Sequence, residues 1–254
     1  MADQGLEEAI RAVGGVTELA RRIGISQPSV SNWTRIPAER VRTVETVSGV
    51  ARATLRPDLY GEAAVDDVDL ARAHEYSLLA ALLLRAPDAK LLAKIAELGG
   101  DATPLGIAHV GLAEAAGSAE PEKIQGEYFD LFIGIGRGEL LPYASYYLTG
   151  FLHERPLARL RDDLARLGIA RADGVVEPED HAGILCEVMS GLASGQLHAP
   201  AESGRTIFEK HMAPWIGRFF ADLERAEAAN FYRRVAAIGR LFVEIETEAF
   251  ALPS

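Results

Sequence analysis

The chain has 254 residues, of which 48% are apolar, which suits one large domain accompanied by a smaller one. Its single cysteine, Cys186, excludes an internal disulfide bond and any site built from several thiolates, and it favours a reducing compartment. The net charge of −11 lies entirely after residue 62, because the first 62 residues hold eight arginines and eight acidic residues. This acidity disfavours polyanion binding and favours a cationic partner, or it serves only to keep the protein soluble.

The first predicted elements are two short helices between Val16 and Thr34, joined by a tight turn at Gly24. We expect Thr17 to cap the first helix and Ser26 to cap the second. The predicted inward-facing residues are Leu19, Ala20, Ile23, Val30 and Trp33. This is a helix-turn-helix pattern, and over about residues 5–61 the chain resembles the Cro/YdaS-like group of DNA-binding repressors.

In such a unit the second helix lies in the major groove of DNA. Glutamine and asparagine side chains pair with adenine, and hydroxyl groups bind phosphates and bases. The candidate DNA-binding residues are Thr17, Ser26, Gln27, Ser29, Ser31, Asn32 and Arg35. The alternative is that they are solvated faces of a small helical unit, since its zero net charge weakens attraction to phosphates. Useful affinity needs two copies, so a homodimer is expected.

The helical pattern is interrupted at residues 56–70, where Pro57, Gly61 and an acidic stretch occur. We therefore predict a helix-turn-helix domain at 1–62, a linker at 63–69 and a larger domain at 70–254. No segment has the ~18–20 apolar residues of a membrane span, and the first residues lack the basic and apolar regions of a signal peptide. We expect a cytoplasmic protein.

The larger region has helical patterning to its end. Helix starts are indicated at Thr103, Ser118 and Pro156, and helix ends at Gly99–Gly100, Gly168 and Gly195. One apolar stripe of the last predicted helix comprises Phe231, Val235, Ile238, Phe242, Ile245 and Ala249. The predicted fold class is all-α, with a small helix-turn-helix domain followed by a larger helical bundle.

Five sequence blocks in this region occur in a characteristic order. They are EYFDLFIG at 127–134, LPYASYYL at 141–148, EPEDHAGILCEVMSGL at 177–192, HMAPWIGRFFADLE at 211–224 and FYRRVAAIGRLFVEIETEAF at 231–250. Over about residues 68–254 the chain resembles the TorD/DmsD-type chaperones of redox enzymes. The resemblance implies a cytoplasmic chaperone without a cofactor of its own. Such a chaperone binds the twin-arginine signal peptide of an apo molybdopterin oxidoreductase, such as a formate dehydrogenase or a sulfoxide or amine-oxide reductase, until its cofactor is loaded.

A peptide that combines two arginines with an apolar stretch requires an apolar groove with carboxylates nearby. Tyrosine rings can add cation–π contacts to arginine. The candidate signal-peptide-binding residues are Leu141, Pro142, Tyr143, Tyr146, Tyr147, Glu177, Pro178, Asp180 and His181. An alternative for 177–181 is ordinary capping, in which Pro178 begins a helix and Glu179 and Asp180 occupy its first turn. We expect His181 to bond to Asp180 or to a peptide carbonyl.

Catalytic and metal sites are not indicated by the sequence. The remaining histidines are scattered, and there is neither a second histidine four residues after His181 nor an HExxH motif. The glycine-rich segment 134–138 lacks a phosphate-binding ending and is predicted to be a flexible loop. The main hypothesis is therefore a chaperone, not an enzyme, with an appended DNA-binding module. The alternative is a transcriptional regulator in which the TorD-like domain senses client or peptide.

Overall fold

The computed structural model describes residues 3–60, 67–171, 174 and 176–252. It divides into two compact units, the first containing the helices up to Tyr60 and the second containing those from Asp67 to Ala251. Every regular element in the described residues is helical, so the all-α prediction is confirmed. Residues 63–66 of the predicted linker lie outside the described residues, and a helix begins at Asp67. No described helix is both long and apolar enough to span a membrane.

The first unit is a set of short helices around a small apolar core. Its elements are α1 (Gln4–Val13), α2 (Val16–Ile23), α3 (Gln27–Ser31), a 3-10 turn (Ala38–Arg40), α4 (Val41–Ser48), α5 (Arg52–Leu55) and α6 (Pro57–Tyr60). Leu19, Ile23 and Val30 are buried in this core, as the sequence pattern predicts. The side chain of Arg56 is buried too, and its guanidinium donates to the carbonyl of Ile36.

The helix-turn-helix turn forms as predicted. Gly24 has a φ of 71°, in the left-handed region that glycine adopts without strain. Ser26 caps α3, because its Oγ accepts a hydrogen bond from the backbone N–H of Ser29 at 3.4 Å. α3 ends at Ser31, however, so Trp33 lies beyond the helix and is only half-buried.

The predicted cap at Thr17 is wrong. α2 begins at Val16, and its N-cap is Gly15, which makes no side-chain cap. Gly14 and Gly15 have φ values of 90° and 134°, so the turn between α1 and α2 is made by a glycine pair that leaves Thr17 in the first helical turn.

The second unit contains ten α-helices and two π-helical turns among the described residues. They are α7 (Asp67–Leu84), α8 (Ala89–Ile95), α9 (Pro104–Gly117), α10 (Pro121–Tyr128), a π-helical turn (Phe129–Ile133), α11 (Ala144–Thr149), α12 (Arg155–Leu167), α13 (Ala182–Ala193), α14 (Ser203–Ile207), a second π-helical turn (Phe208–Met212), α15 (Ile216–Arg225) and α16 (Phe231–Ala251). Thr103 caps α9 and Gly168 ends α12, as predicted. Ser118 instead follows the end of α9, and α10 begins at Pro121.

The core of the second unit is formed by α7 packed along α13, with α16 packed against α9 and α15. Its largest fully buried side chains are Trp215, Tyr76, Tyr232, Phe208, Phe219 and Phe220. Cys186 is a free thiol in this core, and burial raises its pKa to about 12. The single cysteine is therefore a packing residue in its protonated form.

Glu127 fixes the start of the longest helix from a distant point in the chain. Its carboxylate accepts backbone hydrogen bonds from Asn230, Phe231 and Tyr232 at 2.7–3.1 Å. The first N–H groups of a helix have no partner within the helix, and a carboxylate there also opposes the helix dipole. The first residue of the 127–134 block is thus structural.

The predicted apolar stripe of α16 is correct at its first four positions and wrong at the last two. Ile245 is 47% exposed and Ala249 is also exposed, whereas Glu246 is 1% exposed. The Glu246 carboxylate faces inward because Arg72 donates to both of its oxygens, at 2.7 and 2.9 Å, and Tyr76 donates to one at 2.7 Å. A paired charge therefore occupies a position that periodicity assigns to an apolar residue.

Replacing Glu246 with Ala should lower the free energy of unfolding by about 3–5 kcal/mol, because it leaves the Arg72 guanidinium without its buried partner. Urea unfolding followed by circular dichroism measures this change. The control is Glu244→Ala on the same helix, where the pair with Arg240 is exposed and the loss should stay below about 1 kcal/mol. Equal losses in the two variants would show that the buried pair does not hold α7 to α16.

Candidate functional site

The segments 141–148 and 177–192 meet at an isolated antiparallel bridge between Tyr143 and His181. The backbone N–H of Ala144 donates to the carbonyl of Asp180 at 2.9 Å. In the opposite direction, the N–H of Ala182 donates to the carbonyl of Pro142 at 2.8 Å. The rings of Tyr143 and His181 make an edge contact, with centroids 5.1 Å apart. The structure thus brings together the two segments that carry the predicted peptide-binding residues.

The bridge changes where the following helix begins. α13 starts at Ala182, so the predicted start at Pro178 is wrong, and the acidic residues precede the helix. His181 is the N-cap, in extended conformation, and its Nδ1 accepts a hydrogen bond from the N–H of Gly183 at 3.0 Å. Residues 178–181 make a turn and the bridge instead of a first helical turn because their backbone pairs with the 142–144 segment.

His181 is a buried, neutral cap. Its side chain is 4% exposed, and burial lowers its pKa from 6.5 to about 4. An Nδ1 that accepts a hydrogen bond carries no proton, which agrees with the lowered pKa. The predicted hydrogen bond from His181 to Asp180 is replaced by the bond to the Gly183 backbone.

Asp180 is the most deeply buried carboxylate of this region, with 1% exposure. Its Oδ2 accepts a hydrogen bond from the backbone N–H of Ser145 at 2.8 Å, at the start of α11. Its Oδ1 and the neighbouring Ser145 Oγ are buried without a hydrogen-bond partner among the described residues. A buried acceptor that lacks a donor is costly, so this oxygen needs an explanation.

Asp180 lines a cleft of about 390 Å³ in the second unit. The residues around it are Ala144, Leu148, Pro156, Arg159, Leu160, Asp162, Asp163, Arg166, Asp180, Lys210 and His211. Asp163 lies 2.9 Å from His211 Nε2, and this hydrogen bond lowers the pKa of Asp163. Asp163 thus has partners within the protein, whereas Asp180 Oδ1 has none in the part of the chain that the structure describes.

The other two acidic residues of the segment are engaged. Tyr143 Oη donates to Glu177 Oε2 at 2.5 Å, and burial together with this carboxylate raises the pKa of Tyr143. Glu179 forms an ion pair with Arg161 at 2.7 Å. Glu179 is therefore part of an internal ion pair and does not cap α13.

The remaining predicted contacts differ in accessibility. Tyr147 is buried, donates to Asp222 at 3.1 Å and lies under the Arg218 guanidinium, which makes it a core residue. Tyr146, Leu141 and Pro178 are half-buried, and Pro142 is buried. Tyr146 is thus the accessible tyrosine of α11.

Two features of the site were missed by the sequence patterns. One is the charged wall of the cleft contributed by α12 and the second π-helical turn, including Asp163 and His211. The other is an exposed apolar group at the end of α11 and just after it, where Leu148 is 44% exposed and Phe151 is 70% exposed. Phe151 and Leu152 directly follow Gly150, the glycine that ends α11, and neither a helical period nor strand alternation assigns them a face.

In the first unit, the predicted DNA-binding residues lie on the surface. Thr17, Ser26, Gln27, Ser29, Ser31, Asn32 and Arg35 are all exposed. Several side chains bond to each other, with Gln27 donating to Ser31 at 2.8 Å and the Ser26 and Ser29 hydroxyls 2.6 Å apart. The structure presents a polar face on a five-residue α3.

Metal binding has no candidate among the described residues, which contain no cluster of three or more His, Cys, Asp or Glu side chains able to hold an ion.

Comparison with protein families matches both units. Residues 99–221 match the family described as "Nitrate reductase delta subunit", and residues 6–64 match the family described as "Bacterial toxin YdaS". Together with the relatives below, these matches confirm the TorD-like and YdaS-like resemblances predicted from the sequence.

Known relatives resemble the larger unit. "Chaperone protein TorD" of Vibrio cholerae is 26% identical over 131 residues, which cover 48% of this chain and 60% of TorD. "Probable Tat proofreading chaperone DmsD" of Haemophilus influenzae is 29% identical over 119 residues, which cover 46% of this chain and 57% of that protein. A redox enzyme maturation protein structure from Archaeoglobus fulgidus aligns with a TM-score of 0.49 and 25% identity, covering 68% of this chain and 93% of that one. The match covers about 60% of the length of TorD. Both of these relatives are named as chaperones, not enzymes.

The buried His181 predicts a pH dependence of stability. Because its folded pKa of about 4 lies below 6.5, protonation favours the unfolded chain. The contribution of neutral His181 to the free energy of unfolding is complete above pH 6.5 and is lost as the pH falls towards 4. At pH 5 the free energy of unfolding should be lower by about 2 kcal/mol. Urea unfolding at pH 7.5 and pH 5 measures this change.

The matched variant for that experiment is His181→Asn, which keeps a capping side chain but does not titrate. Its stability should fall less than that of the natural protein between the two pH values. The same decrease in both proteins would contradict the buried, neutral histidine.

Proposed function

We propose that this protein is a cytoplasmic chaperone that binds the twin-arginine signal peptide of an apo molybdopterin oxidoreductase and holds the client until its cofactor is loaded. The observation that supports the site most directly is the buried Asp180, a residue of the cleft lining whose Oδ1 has no hydrogen-bond partner among the described residues. The similarity to proteins named TorD and DmsD supports the chaperone class.

The chemistry of Asp180 suits an arginine side chain. A buried carboxylate oxygen without a donor is unfavourable until a donor reaches it, and a charged donor gives the strongest hydrogen bond. A guanidinium presents several N–H groups in a plane, so it can satisfy Oδ1 while Oδ2 keeps its bond to Ser145. Glu177 lies at the same bridge and accepts from Tyr143 Oη, and its negative charge adds to the attraction for the second arginine.

The surroundings of Asp180 suit the apolar part of such a peptide. Leu148, Pro156 and Leu160 line the cleft, and Phe151 is exposed in the segment that follows Leu148. Exposed apolar groups beside a cleft are typical of peptide-binding surfaces. The net charge of −11 adds a long-range attraction for a cationic peptide.

Asp180→Asn should weaken binding of a synthetic twin-arginine signal peptide by about tenfold to a hundredfold, because the amide keeps an acceptor for Ser145 but removes the negative charge of this cleft residue. Isothermal titration calorimetry with the full chain measures the affinity. A peptide with both arginines replaced by glutamine should lose affinity for the natural protein to a similar extent.

The matched control is Glu179→Gln, the same chemical change one residue earlier, at a carboxylate already paired with Arg161. Its affinity should stay within about twofold of the natural protein. Equal affinities for the arginine and glutamine peptides would exclude the proposed function. If only the Asp180→Asn result differs from expectation, with unchanged affinity, the peptide binds at a site that does not include Asp180.

A second candidate function is transcriptional regulation, in which the TorD-like unit senses client peptide. The observation that favours it is the helix-turn-helix of the first unit, with an intact Gly24 turn, a Ser26 cap and an exposed face at Gln27 and Asn32. In the chaperone proposal the same unit is an appended DNA-binding module. The two differ in whether peptide and DNA binding are coupled.

For the regulator, saturating peptide should change the affinity of the full chain for its preferred genomic fragment by about fivefold or more. Gel-shift titration with and without peptide measures this coupling, and Gln27→Ala should reduce the preference for that fragment by about tenfold. An equal affinity for genomic fragments and random duplex would exclude both DNA-dependent proposals. If the protein prefers a genomic fragment and peptide does not alter that preference, the unit binds DNA but the sensor role is excluded.

A further inference from the structure

The accessible tyrosine of α11 is covered by an arginine of the same chain. The Arg137 guanidinium lies 5.2 Å from the ring centroid of Tyr146, and its Nη2 donates to Tyr146 Oη at 2.8 Å. This is the contact that a tyrosine offers to an arginine ligand, a cation–π interaction together with a hydrogen bond. Tyr146 is one of the residues predicted to contact the signal peptide.

Arg137 lies on a loop that is closed at its base and exposed at its tip. Backbone bonds from Glu139 to Asp130, at 3.0 Å, and from Leu140 to Leu131, at 2.8 Å, hold the base. The loop itself, residues 134–138, turns at Gly134 and Gly136, whose φ values are 60° and 88°. Because Arg137 is exposed at the tip, its side chain can leave Tyr146 by a change of rotamer while the base of the loop stays in place.

The tip of the loop combines a cation with apolar side chains, as the proposed ligand does. Ile135 is 99% exposed, and Ile133 at the edge of the loop is 54% exposed. Together with Arg137 they form a cation next to apolar side chains, which is also the composition of a twin-arginine signal peptide. We infer that the 134–138 loop is an autoinhibitory strap, in which Arg137 occupies the Tyr146 face until a client arginine displaces it.

This inference rests on the proposed function and adds a regulatory step to it. An exposed cation–π contact is weak, so the strap lowers the affinity for peptide by only about two- to fivefold and is readily displaced. A competition of this size disfavours weakly matched peptides and still admits a ligand that also reaches Asp180. The strap therefore acts on selectivity.

The direct test is Arg137→Gln in the full chain, which should bind the twin-arginine peptide about two- to fivefold more tightly in isothermal titration calorimetry. Because removal of any positive charge increases attraction for a cationic peptide, the control is Arg225→Gln at the exposed end of α15. The control should change the affinity by less than the Arg137 variant at physiological salt. Equal gains in the two variants, or weaker binding in Arg137→Gln, would overturn the strap.

A double-mutant cycle with Tyr146→Leu tests whether the effect passes through the ring. In the Tyr146→Leu background, Arg137→Gln should give no further gain, and a persisting gain would contradict the inference. If the leucine variant unfolds, Tyr146→Phe keeps the ring and removes only the hydroxyl that accepts from Arg137, so in that background Arg137→Gln should give a smaller gain than in the natural protein. If binding depends on the peptide arginines but Arg137→Gln gives no gain in affinity, the strap is rejected and the proposed function stands. If neither the natural protein nor Arg137→Gln binds the peptide, the proposed function is rejected.

Discussion

The candidate site of the second unit depends on how a buried carboxylate is held where two distant segments join. Asp180 is 1% exposed and lies next to the backbone bridge between Tyr143 and His181. Burial of a carboxylate is unfavourable unless hydrogen bonds compensate for lost hydration. The Ser145 N–H at the start of α11 satisfies one oxygen, and the other has no partner among the described residues. Asp180 also lines the cleft, which is why we propose it as the residue that binds a ligand cation.

Other carboxylates of the same unit have structural roles, and their hydrogen-bond partners show it. Glu127 accepts three backbone N–H groups at the start of α16, and Glu246 binds Arg72 and Tyr76 within the core. Glu179 is paired with Arg161. Each has donors from within the chain, so none needs a ligand. An acidic sequence block therefore contains both structural and candidate binding residues, and hydrogen-bond partners distinguish them.

Local signals in the sequence predicted much of the fold, and long-range pairings were responsible for the errors. Gly24, Gly168 and Thr103 mark helix ends because left-handed turns and side-chain caps depend on neighbouring residues alone. The start of α13 moved to Ala182 because the preceding residues pair with a segment far away in the chain. Periodicity likewise could not show that Glu246 faces inward, since its partner Arg72 lies on α7. The candidate residues were named from the sequence, but their division into free and engaged groups required the structure.

In the proposed function, the arginine pair of a client peptide enters the second unit beside Asp180. A twin-arginine peptide with a photoreactive benzoylphenylalanine next to the arginines tests it directly, with cross-links located by mass spectrometry on the full chain. We expect cross-links within residues 141–152 and 176–181, and we expect them to disappear when unlabelled peptide is added in excess. Cross-links concentrated on the exposed side of α9, at Ile107 and Val110, would contradict it.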